Sequence, residues 1–570
     1  MADPRLDLLL ATADERRPAL EQGLSPDAVV GAKKPRKAPN GDDSLLLDAP
    51  GVDPNLLPRQ RWGVIAPQGR EGDAMLEAIA PLLQLREAEQ GAPVTKYRVA
   101  ADMDAARAVD WKNDIYRSEK VAEAERPRYL LILGELDKVA LELQHALANG
   151  SYVGRLAFTD AAGEPELAQY EAYARKVVAF AGKLSLQATA DALFYTANDG
   201  TSATAAARLQ LVGPCLERLA LGRSGSSSPA GQVREINAES GSAAELLAGA
   251  GSARPSVLLS VSHGLGAPRG GWSSGELQRR RQGALSLGRE VLEAEALRKG
   301  PFLPGGMWFC LACFSAGTPA ESAFYVWLAA LAKQEAYDGR LDAVLKSLPG
   351  QGGRPFVAAL PQAALVNPDG PLAVIGHMDL AWTHGFTDAN NPARSRASRI
   401  LSTLEVLLEG ARAGVALDVL RHAYRETNDE LTKSYQVEAD AKVFNRPNPI
   451  DPKGRANLWM LRNDLRGYVL LGDPAVNLPL SGSAAGVKLE PAAVPEVRGG
   501  GGDAAGAAAK RVDGEPAPAE VALREAAVQA LLRGDETPSA IAKRAGASSL
   551  DELWRWFDDY RYGGRGPLGG

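Results

Sequence analysis

The sequence predicts an α/β protein with a mostly parallel sheet flanked by helices. From Arg61 onward, apolar runs of strand length alternate with stretches of helical period, and a second series of the same kind begins near residue 190. Such alternation is typical of a parallel sheet that carries helices on its faces. The chain of 570 residues, 45% of them hydrophobic, is long enough for two or three domains.

The first part of the chain divides into an extension and an α/β unit. Residues 1–57 contain a basic run, KKPRK, and many Pro, Gly and Asp residues, which predict a mobile extension or an activation segment. Residues 58–184 then alternate between the strand runs RWGVIAP, TKYRVAAD and RYLLILG and helical stretches. A long amphipathic helix closes this predicted N-terminal subdomain.

Residues 185–480 form the second predicted α/β series. Its strand runs include DALFYTAND, SVLLSVSHG, MWFCLAC and LAVIGHMD, and YVLLGDPAVNLP closes the series. Residues 481–518 are dominated by Gly, Ala and Pro and predict a linker. Residues 519–570 predict a small all-helical module that resembles helix-turn-helix segments of the transposase type. Its nearly balanced charges favour a protein partner over nucleic acid, with a passive appendage as the remaining alternative.

Composition limits the cellular compartments and the binding partners that we expect for this protein. The net charge of -6 gives no general attraction to nucleic acid or anionic membranes, and no apolar run is long enough to cross a bilayer. Charges crowd the first apolar run, which argues against a secretory signal. Three cysteines predict no disulfide framework, so we expect a cytoplasmic protein with free thiols. We expect no metal and no cofactor.

Two predicted strands end in residues that carry chemistry. SVLLSVSHG ends in His263 and Gly264, and MWFCLAC ends in Cys313 directly before a helix. Reactive groups collect at the carboxyl ends of parallel strands, and the positive end of a helix stabilises a thiolate. We expect Cys313 to be a nucleophile and His263 to carry protons. Without a Cβ atom, Gly264 can offer its backbone N–H, together with that of Cys313, to an oxyanion.

Other nucleophiles compete with Cys313. Cys310 lies three residues earlier on the same strand and Cys215 lies within a predicted helix, and both fit a buried apolar role. CFSAG is close to a serine-hydrolase elbow at Ser315, for which His384 or His422 could complete a triad. That alternative stays open at this point.

The two strand ends resemble a known family. LLSVSHGLG, followed by WFCLACFSAGTP, is similar to the His-Gly and Ala-Cys strand ends of caspase-like cysteine peptidases, the group of caspases, gingipains, separase and bacterial CHAT proteases. RYLLILG with YVGRLAF and YVLLGDPAVNLP resemble the bacterial gingipain-type members most. The resemblance implies a caspase-like catalytic domain over residues 185–480, with His263 as proton carrier, Cys313 as nucleophile and Gly264 in the oxyanion site. Metacaspases usually place an Asp where this chain has Leu311, so calcium dependence is not implied.

The resemblance also implies a charged first substrate pocket. Asp379, after the strand LAVIGHMD, is the candidate to hold an Arg or Lys side chain, with a turn-capping role as the alternative. His377 on the same strand is expected to be structural, and Trp382 to lie in the core. The arginines of QRRRQ, residues 279–281, are a candidate activating cleavage site or a solvated helix face.

The sequence therefore predicts a bacterial-type cysteine endopeptidase that cleaves protein substrates, with a preference for basic residues and a role in defence or regulated proteolysis. Two alternatives differ in class. One is a catalytically inactive scaffold that binds peptides in the same cleft, and the other is a regulator targeted to DNA by the C-terminal module.

Overall fold

The computed structural model describes residues 5–31, 53–101, 103–160, 162–183, 187–222, 228–349, 353–388, 395–481 and 543–545. The chain divides into two units, Met1–Lys488 and Leu489–Gly570. The predicted linker and helical module lie outside the described residues, except for Ser481 and for residues 543–545, which are helical.

The strands of the first unit are short, none of them longer than the seven residues of β6, Ala190–Thr196. In chain order they are β1 (Leu10–Ala11), β2 (Trp62–Pro67), β3 (Thr95–Val99), β4 (Tyr129–Leu133), β5 (Tyr152–Leu156), β6 (Ala190–Thr196), β7 (Ala230–Glu235), β8 (Ser256–Val261), β9 (His263–Leu265), β10 (Leu285–Ser286), β11 (Val291–Leu292), β12 (Met307–Leu311), β13 (Gly317–Thr318), β14 (Phe356–Val357), β15 (Ala373–His377) and β16 (Tyr468–Gly472).

Helices follow most of these strands. The α-helices are α1 (Leu57–Gln60), α2 (Arg70–Ala78), α3 (Ala80–Gln90), α4 (Ala105–Trp111), α5 (Leu141–Leu147), α6 (Leu167–Ala181), α7 (Ser202–Ala207), α8 (Gly213–Leu221), α9 (Ala243–Ala250), α10 (Gly275–Arg281), α11 (Ala294–Leu297), α12 (Tyr325–Leu331), α13 (Asp342–Ser347), α14 (Ala359–Val366), α15 (Ser398–Leu408), α16 (Ala413–Val443) and α17 (Pro452–Arg466). Short 3-10 or π turns extend or replace helices at Pro26–Gly31, Lys112–Tyr116, Glu123–Glu125, Arg208–Val212, Glu335–Tyr337 and Thr383–Gly385. Within the described part of the chain, no helix is long and apolar enough to cross a membrane.

A ten-stranded sheet organises the unit, with the strand order β3-β2-β4-β5-β16-β15-β12-β8-β6-β7. The pairing is parallel throughout except between β15 and β16, which run antiparallel. The sheet thus consists of two parallel halves of opposite direction that meet at this pair. The predicted α/β class, with a large sheet flanked by helices, is confirmed.

The predicted boundary near residue 184 falls between the strands of the two halves. β2 to β5 come from residues 58–184 and lie in one half, while β6, β7, β8, β12 and β15 form the other. β16, from the predicted closing segment, returns to the first half and pairs with β5. Both predicted subdomains therefore share one hydrogen-bonded sheet.

The central strands are apolar on both faces because helices cover both sides. Every residue of β4, β8, β12, β15 and β16 is buried. Strands of a parallel sheet that is covered on both faces read as continuous apolar runs rather than alternating ones. This is why the sequence identified them as strands but could not assign their faces.

Residues 5–31, the N-terminal segment, pack against the rest of the first unit. The sequence predicts a mobile extension there, whereas Leu6, Leu8, Leu9 and Leu10 are buried and β1 pairs in parallel with β9. Each leucine removed from water contributes about 1.5–3 kcal/mol, so this run stabilises the ordered position. β9, β10 and β11 complete a small four-stranded sheet with β1.

A buried ion pair holds the end of β16. Asp473 accepts hydrogen bonds from Arg86 Nε at 2.8 Å and from Trp62 Nε1 at 2.9 Å. Asp473 has no exposed surface and Arg86 is almost fully buried. The pair links α3, β2 and β16, three elements far apart in sequence.

We expect Asp473→Asn to lower the free energy of unfolding by about 1–3 kcal/mol, because the buried Arg86 guanidinium then keeps only the carboxylate of Glu89 as its counter-charge. Urea unfolding measures the change. Glu171→Gln, which removes an exposed ion pair with Arg175 on α6, is the control and should cost less than about 0.5 kcal/mol. Equal effects of the two substitutions would contradict this assignment.

Candidate active site

Four neighbouring strands end at one edge of the sheet. β15, β12, β8 and β6 are adjacent and parallel, so the loops that follow them leave from the same side. Leu311 lies opposite Val261 at the ends of β12 and β8. The residues that follow, Cys313 and His263, therefore come from the ends of adjacent strands.

Gly264 lies directly against the backbone of Cys313. A Cβ atom at residue 264 would come 1.8 Å from the carbonyl oxygen of Cys313 and 3.1 Å from its nitrogen. No side chain fits that space without moving the main chain of Cys313. The need for glycine here is therefore steric, and the close approach sets the two amides side by side.

The two amides converge on one carbonyl oxygen. The N–H of Gly264 donates to the carbonyl of Leu9 at 2.9 Å, and the N–H of Cys313 donates to the same oxygen at 3.1 Å. Two preorganised backbone donors aimed at one peptide carbonyl have the geometry of an oxyanion hole. The N-terminal segment supplies that carbonyl.

Cys313 is fully buried in this arrangement. Its Sγ accepts a hydrogen bond from Ala381 N at 3.2 Å and lies 3.6 Å from the carbonyl oxygen of Ala381. Burial raises the pKa of the Cys313 thiol well above its ordinary value. The next residue, Phe314, has a φ of 56°, a left-handed conformation that is costly for an aromatic residue. The chain therefore turns sharply immediately after the thiol.

His263 is held by two polar groups from the loop after β6. Its Nε2 lies 3.0 Å from Thr201 Oγ1 and 3.5 Å from Asp199 Oδ2. Burial lowers the pKa of His263, and the charge of Asp199 opposes that shift. Nδ1 is buried and has no hydrogen-bond partner within the described residues.

Asp199 is a site residue that the sequence analysis missed. Its Oδ1 accepts hydrogen bonds from Thr201 N at 3.0 Å and from Thr204 Oγ1 at 2.6 Å, which leaves Oδ2 directed at the imidazole. The strand run DALFYTAND ends in this aspartate, and β6 is the neighbour of β8. The strand-end rule that found His263 applies equally here, but it needs the strand order, which the sequence does not state.

The predicted dyad is adjacent in the sheet but not hydrogen-bonded. Among the described residues, Cys313 Sγ bonds to the backbone of Ala381, while His263 Nε2 faces Thr201 and Asp199. The Leu9 carbonyl accepts hydrogen bonds from the amide of Cys313 and from the amide of Gly264, the residue after His263. The catalytic roles of His263, Gly264 and Cys313 stay predictions.

Asp379 lies at the same edge, after β15, and its carboxylate is hydrogen-bonded to neighbouring groups. It accepts hydrogen bonds from Ser322 Oγ at 2.8 Å, Ala323 N at 2.9 Å and Leu380 N at 2.8 Å. Burial raises the pKa of Asp379 to about 6. These contacts fit the turn-capping alternative, and its role in substrate binding stays a prediction.

The neighbouring aromatic and imidazole groups are part of the interior. His377 Nδ1 faces the backbone of Asp379 and Nε2 lies 2.9 Å from the Asp464 carbonyl, while burial lowers the pKa of His377 to about 4. Trp382 packs with Phe324 and Trp327 in a buried aromatic cluster. Both placements agree with the structural roles expected from the sequence.

The competing nucleophiles have structural surroundings. Ser315 Oγ donates to the Cys310 carbonyl at 3.0 Å and accepts from His377 N at 2.9 Å, so its hydroxyl bridges two strands. Burial raises the pKa of Cys310 and of Cys215 to about 12. His422 is largely exposed and pairs with Glu426 on α16. Among the described residues, no cluster of potential ligands could hold a metal ion.

Comparison with known proteins gives one remote match. No family model matches the chain, and no curated protein matches it. Among solved structures, the chain is similar to the crystal structure of the Arg-specific cysteine proteinase gingipain R, with a TM-score of 0.39 and 12% sequence identity. The alignment covers 74% of this chain and 78% of that chain. A likeness this remote carries no argument about reaction or substrate.

Gly264→Ala should destabilise the first unit by about 1–3 kcal/mol, because the added methyl group overlaps the Cys313 carbonyl. The free energy of urea unfolding measures this change. Gly270→Ala is the matched control, since a Cβ atom there meets nothing within 4 Å. If both variants unfold like wild type, the close approach of the two backbones is not real.

Proposed function

We propose that the chain is a cysteine endopeptidase that acts through Cys313 and His263. The observation that carries the proposal is the convergence of the Gly264 and Cys313 amides on a single peptide carbonyl, at 2.9 and 3.1 Å. Acyl transfer requires donors that share one oxygen, and here N–H groups from the ends of two adjacent strands share a single carbonyl.

The proposed reaction uses groups that the geometry brings to one sheet edge. The Cys313 thiolate attacks the carbonyl carbon of the substrate, and the two amides stabilise the negative oxygen. His263 gives its proton to the amine as the C–N bond breaks, leaving a thioester on Cys313. Water, deprotonated by His263, then hydrolyses the thioester and frees the thiol.

Asp199 acts as a positioning residue in this scheme. Its carboxylate lies on the far side of the imidazole, 3.5 Å from Nε2, and favours the protonated ring. The hydroxyl group of Thr201, which caps the N-terminus of α7, is hydrogen-bonded to the same nitrogen. With Nε2 held by these two groups, Nδ1 is the nitrogen proposed to exchange protons with the substrate.

A catalytically inactive peptide-binding protein is the second candidate. It is favoured by the hydrogen bond from Ala381 N to the Cys313 Sγ and by a buried thiol whose pKa is raised. Both candidates bind a peptide at the same sheet edge, so they differ only in whether Cys313 reacts.

The proposed reaction does not depend on the expected substrate preference, on an activating cleavage or on a recruited partner. The preference for Arg or Lys depends on Asp379, whose carboxylate already accepts three hydrogen bonds. The arginines at 279–281 end α10, where Arg281 pairs with Glu293, so cleavage there would require unwinding of the helix. The proposed recruitment of a protein partner by residues 519–570, and the alternative of nucleic acid, concern residues outside the described ones.

Cys313→Ala should abolish peptide hydrolysis and covalent modification by a peptide acyloxymethyl ketone. Mass spectrometry of the intact protein should find one adduct per wild-type chain, on Cys313. Cys310→Ala is the matched control, because that thiol lies on the same strand with a pKa raised to about 12, and it should still be modified. An adduct that survives Cys313→Ala would refute the assignment of the nucleophile.

Asp199→Asn should lower kcat about tenfold or more and move the alkaline limb of the pH–rate profile to lower pH by about 1 unit. The sign follows from the charge, because Asp199 raises the pKa of His263 and its loss lowers the pH at which the imidazolium deprotonates. Asp191→Asn, on β6 but paired with Arg254 at the opposite end of the strand, is the control. An unchanged limb would show that Asp199 has no electrostatic role.

A further inference from the structure

We infer that Arg5–Ala11 occupies the substrate cleft as a tethered, substrate-like inhibitor, and that the subsite preceding the cleaved bond accepts a leucine-like aliphatic side chain. The cleavage part of this inference rests on the proposed function, while the binding part does not. The segment lies across the site in the direction and hydrogen-bonding pattern of a peptide added to a sheet edge.

The residues before the Leu9 carbonyl pair with the chain after β15. Leu9 N donates to the Ala381 carbonyl at 3.1 Å, and Thr383 N donates to the Asp7 carbonyl at 3.1 Å. Leu8 forms an antiparallel bridge with Trp382 between these two bonds. The main chain is thus bound independently of its side chains, which is how an extended peptide of any sequence would be held.

The residues after that carbonyl pair with the chain after β8. Leu10 lies opposite Gly264 in the parallel β1–β9 pair, and Gly266 N donates to the Ala11 carbonyl at 2.6 Å. The bond between Leu9 and Leu10 therefore lies across the oxyanion donors with the segment bound on both sides of it. A surface tail packed only by its leucines has no reason to satisfy all of these donors at once.

The side chains indicate which residues the cleft accepts. Leu9 and Leu10 have no exposed surface and Leu8 is 2% exposed. A cationic side chain in place of Leu9 would lose its hydration and need a carboxylate, whereas the carboxylate of Asp379 already accepts hydrogen bonds from Ser322, Ala323 and Leu380. An aliphatic side chain has no such cost, so the position of Leu9 favours leucine over arginine or lysine.

The rest of the N-terminal segment fixes this strand in place. Leu6 and Leu24 exchange two backbone hydrogen bonds at 2.8 and 3.0 Å, so the segment folds back on itself. Trp327 Nε1 donates to the Ala28 carbonyl at 3.0 Å, and Asp27 pairs with Lys453 on α17. A tether with these anchors keeps the local concentration of the strand high, so that the strand competes with a free peptide for the cleft.

Binding tests the inference without any need for activity. A fluorescein-labelled peptide with the sequence of residues 5–12, RLDLLLAT, is titrated into Cys313→Ala and into Cys313→Ala with Leu9→Glu. Glutamate at the fully buried position should expel the tethered strand, so we expect the peptide to bind the double variant about tenfold more tightly or better. The control adds Leu221→Glu instead, at a leucine that is 84% exposed, and should bind like Cys313→Ala.

Equal affinity in all three proteins would overturn the inference. Thermal melts establish that the variants fold, and Leu9→Ala, which removes apolar contact without adding charge, repeats the comparison if Leu9→Glu does not fold. A peptide with Glu at the Leu9 position should fail to bind the double variant. If the double variant binds both peptides with equal affinity, the assignment of the Leu9 position to the buried subsite is wrong.

Hydrolysis then separates this inference from the proposed function. With the native Cys313, Leu9→Glu should cleave a peptide library about tenfold faster than wild type, with leucine preferred about tenfold over arginine before the cut. Cleavage after arginine or lysine at equal or higher rates would overturn the aliphatic subsite and leave the peptidase intact. Peptide binding with no hydrolysis and no ketone adduct would refute the peptidase and leave the tethered ligand standing.

Discussion

The close approach of Gly264 to Cys313 is the constraint on which the candidate site depends. β8 and β12 run in register to their ends, so the next residues of both strands continue side by side. Because residue 264 has no side chain, its amide and that of Cys313 can point at the same oxygen. The register of two adjacent strands and one missing methyl group thus bring two N–H donors to the same oxygen without any specialised loop.

The sequence contains the local half of this arrangement. Apolar runs predict the strands, and the rule that chemistry collects at strand ends singles out His263 and Cys313. Strand order is different information, because it depends on pairing between residues far apart in the chain. Asp199 was missed for that reason, since its strand had to be known as the neighbour of β8 before its carboxylate could be connected with the imidazole.

The N-terminal segment and β16 show the same limit. A leucine run flanked by charges reads as a tail when its partners, Gly264 and Ala381, lie hundreds of residues away. Likewise, YVLLG near the end of the predicted domain forms a strand in the middle of the sheet, where it joins the two parallel halves. The leucine run and β16 are both buried by partners that lie far away in the sequence. Local composition does not reveal those partners.

Occupation of the cleft and the protonation of the site are physically linked. Cys313 and His263 are buried together with Leu9, and burial raises the pKa of the Cys313 thiol and lowers the pKa of His263, while the Leu9 backbone opposes part of the rise at the thiol. Both shifts favour the neutral pair over the thiolate and imidazolium that attack requires. Departure of the strand would readmit water and remove part of both shifts. The segment would then restrain the proposed peptidase twice, by filling the cleft and by holding its two reactive groups uncharged, and a single event that displaces it would reverse both effects.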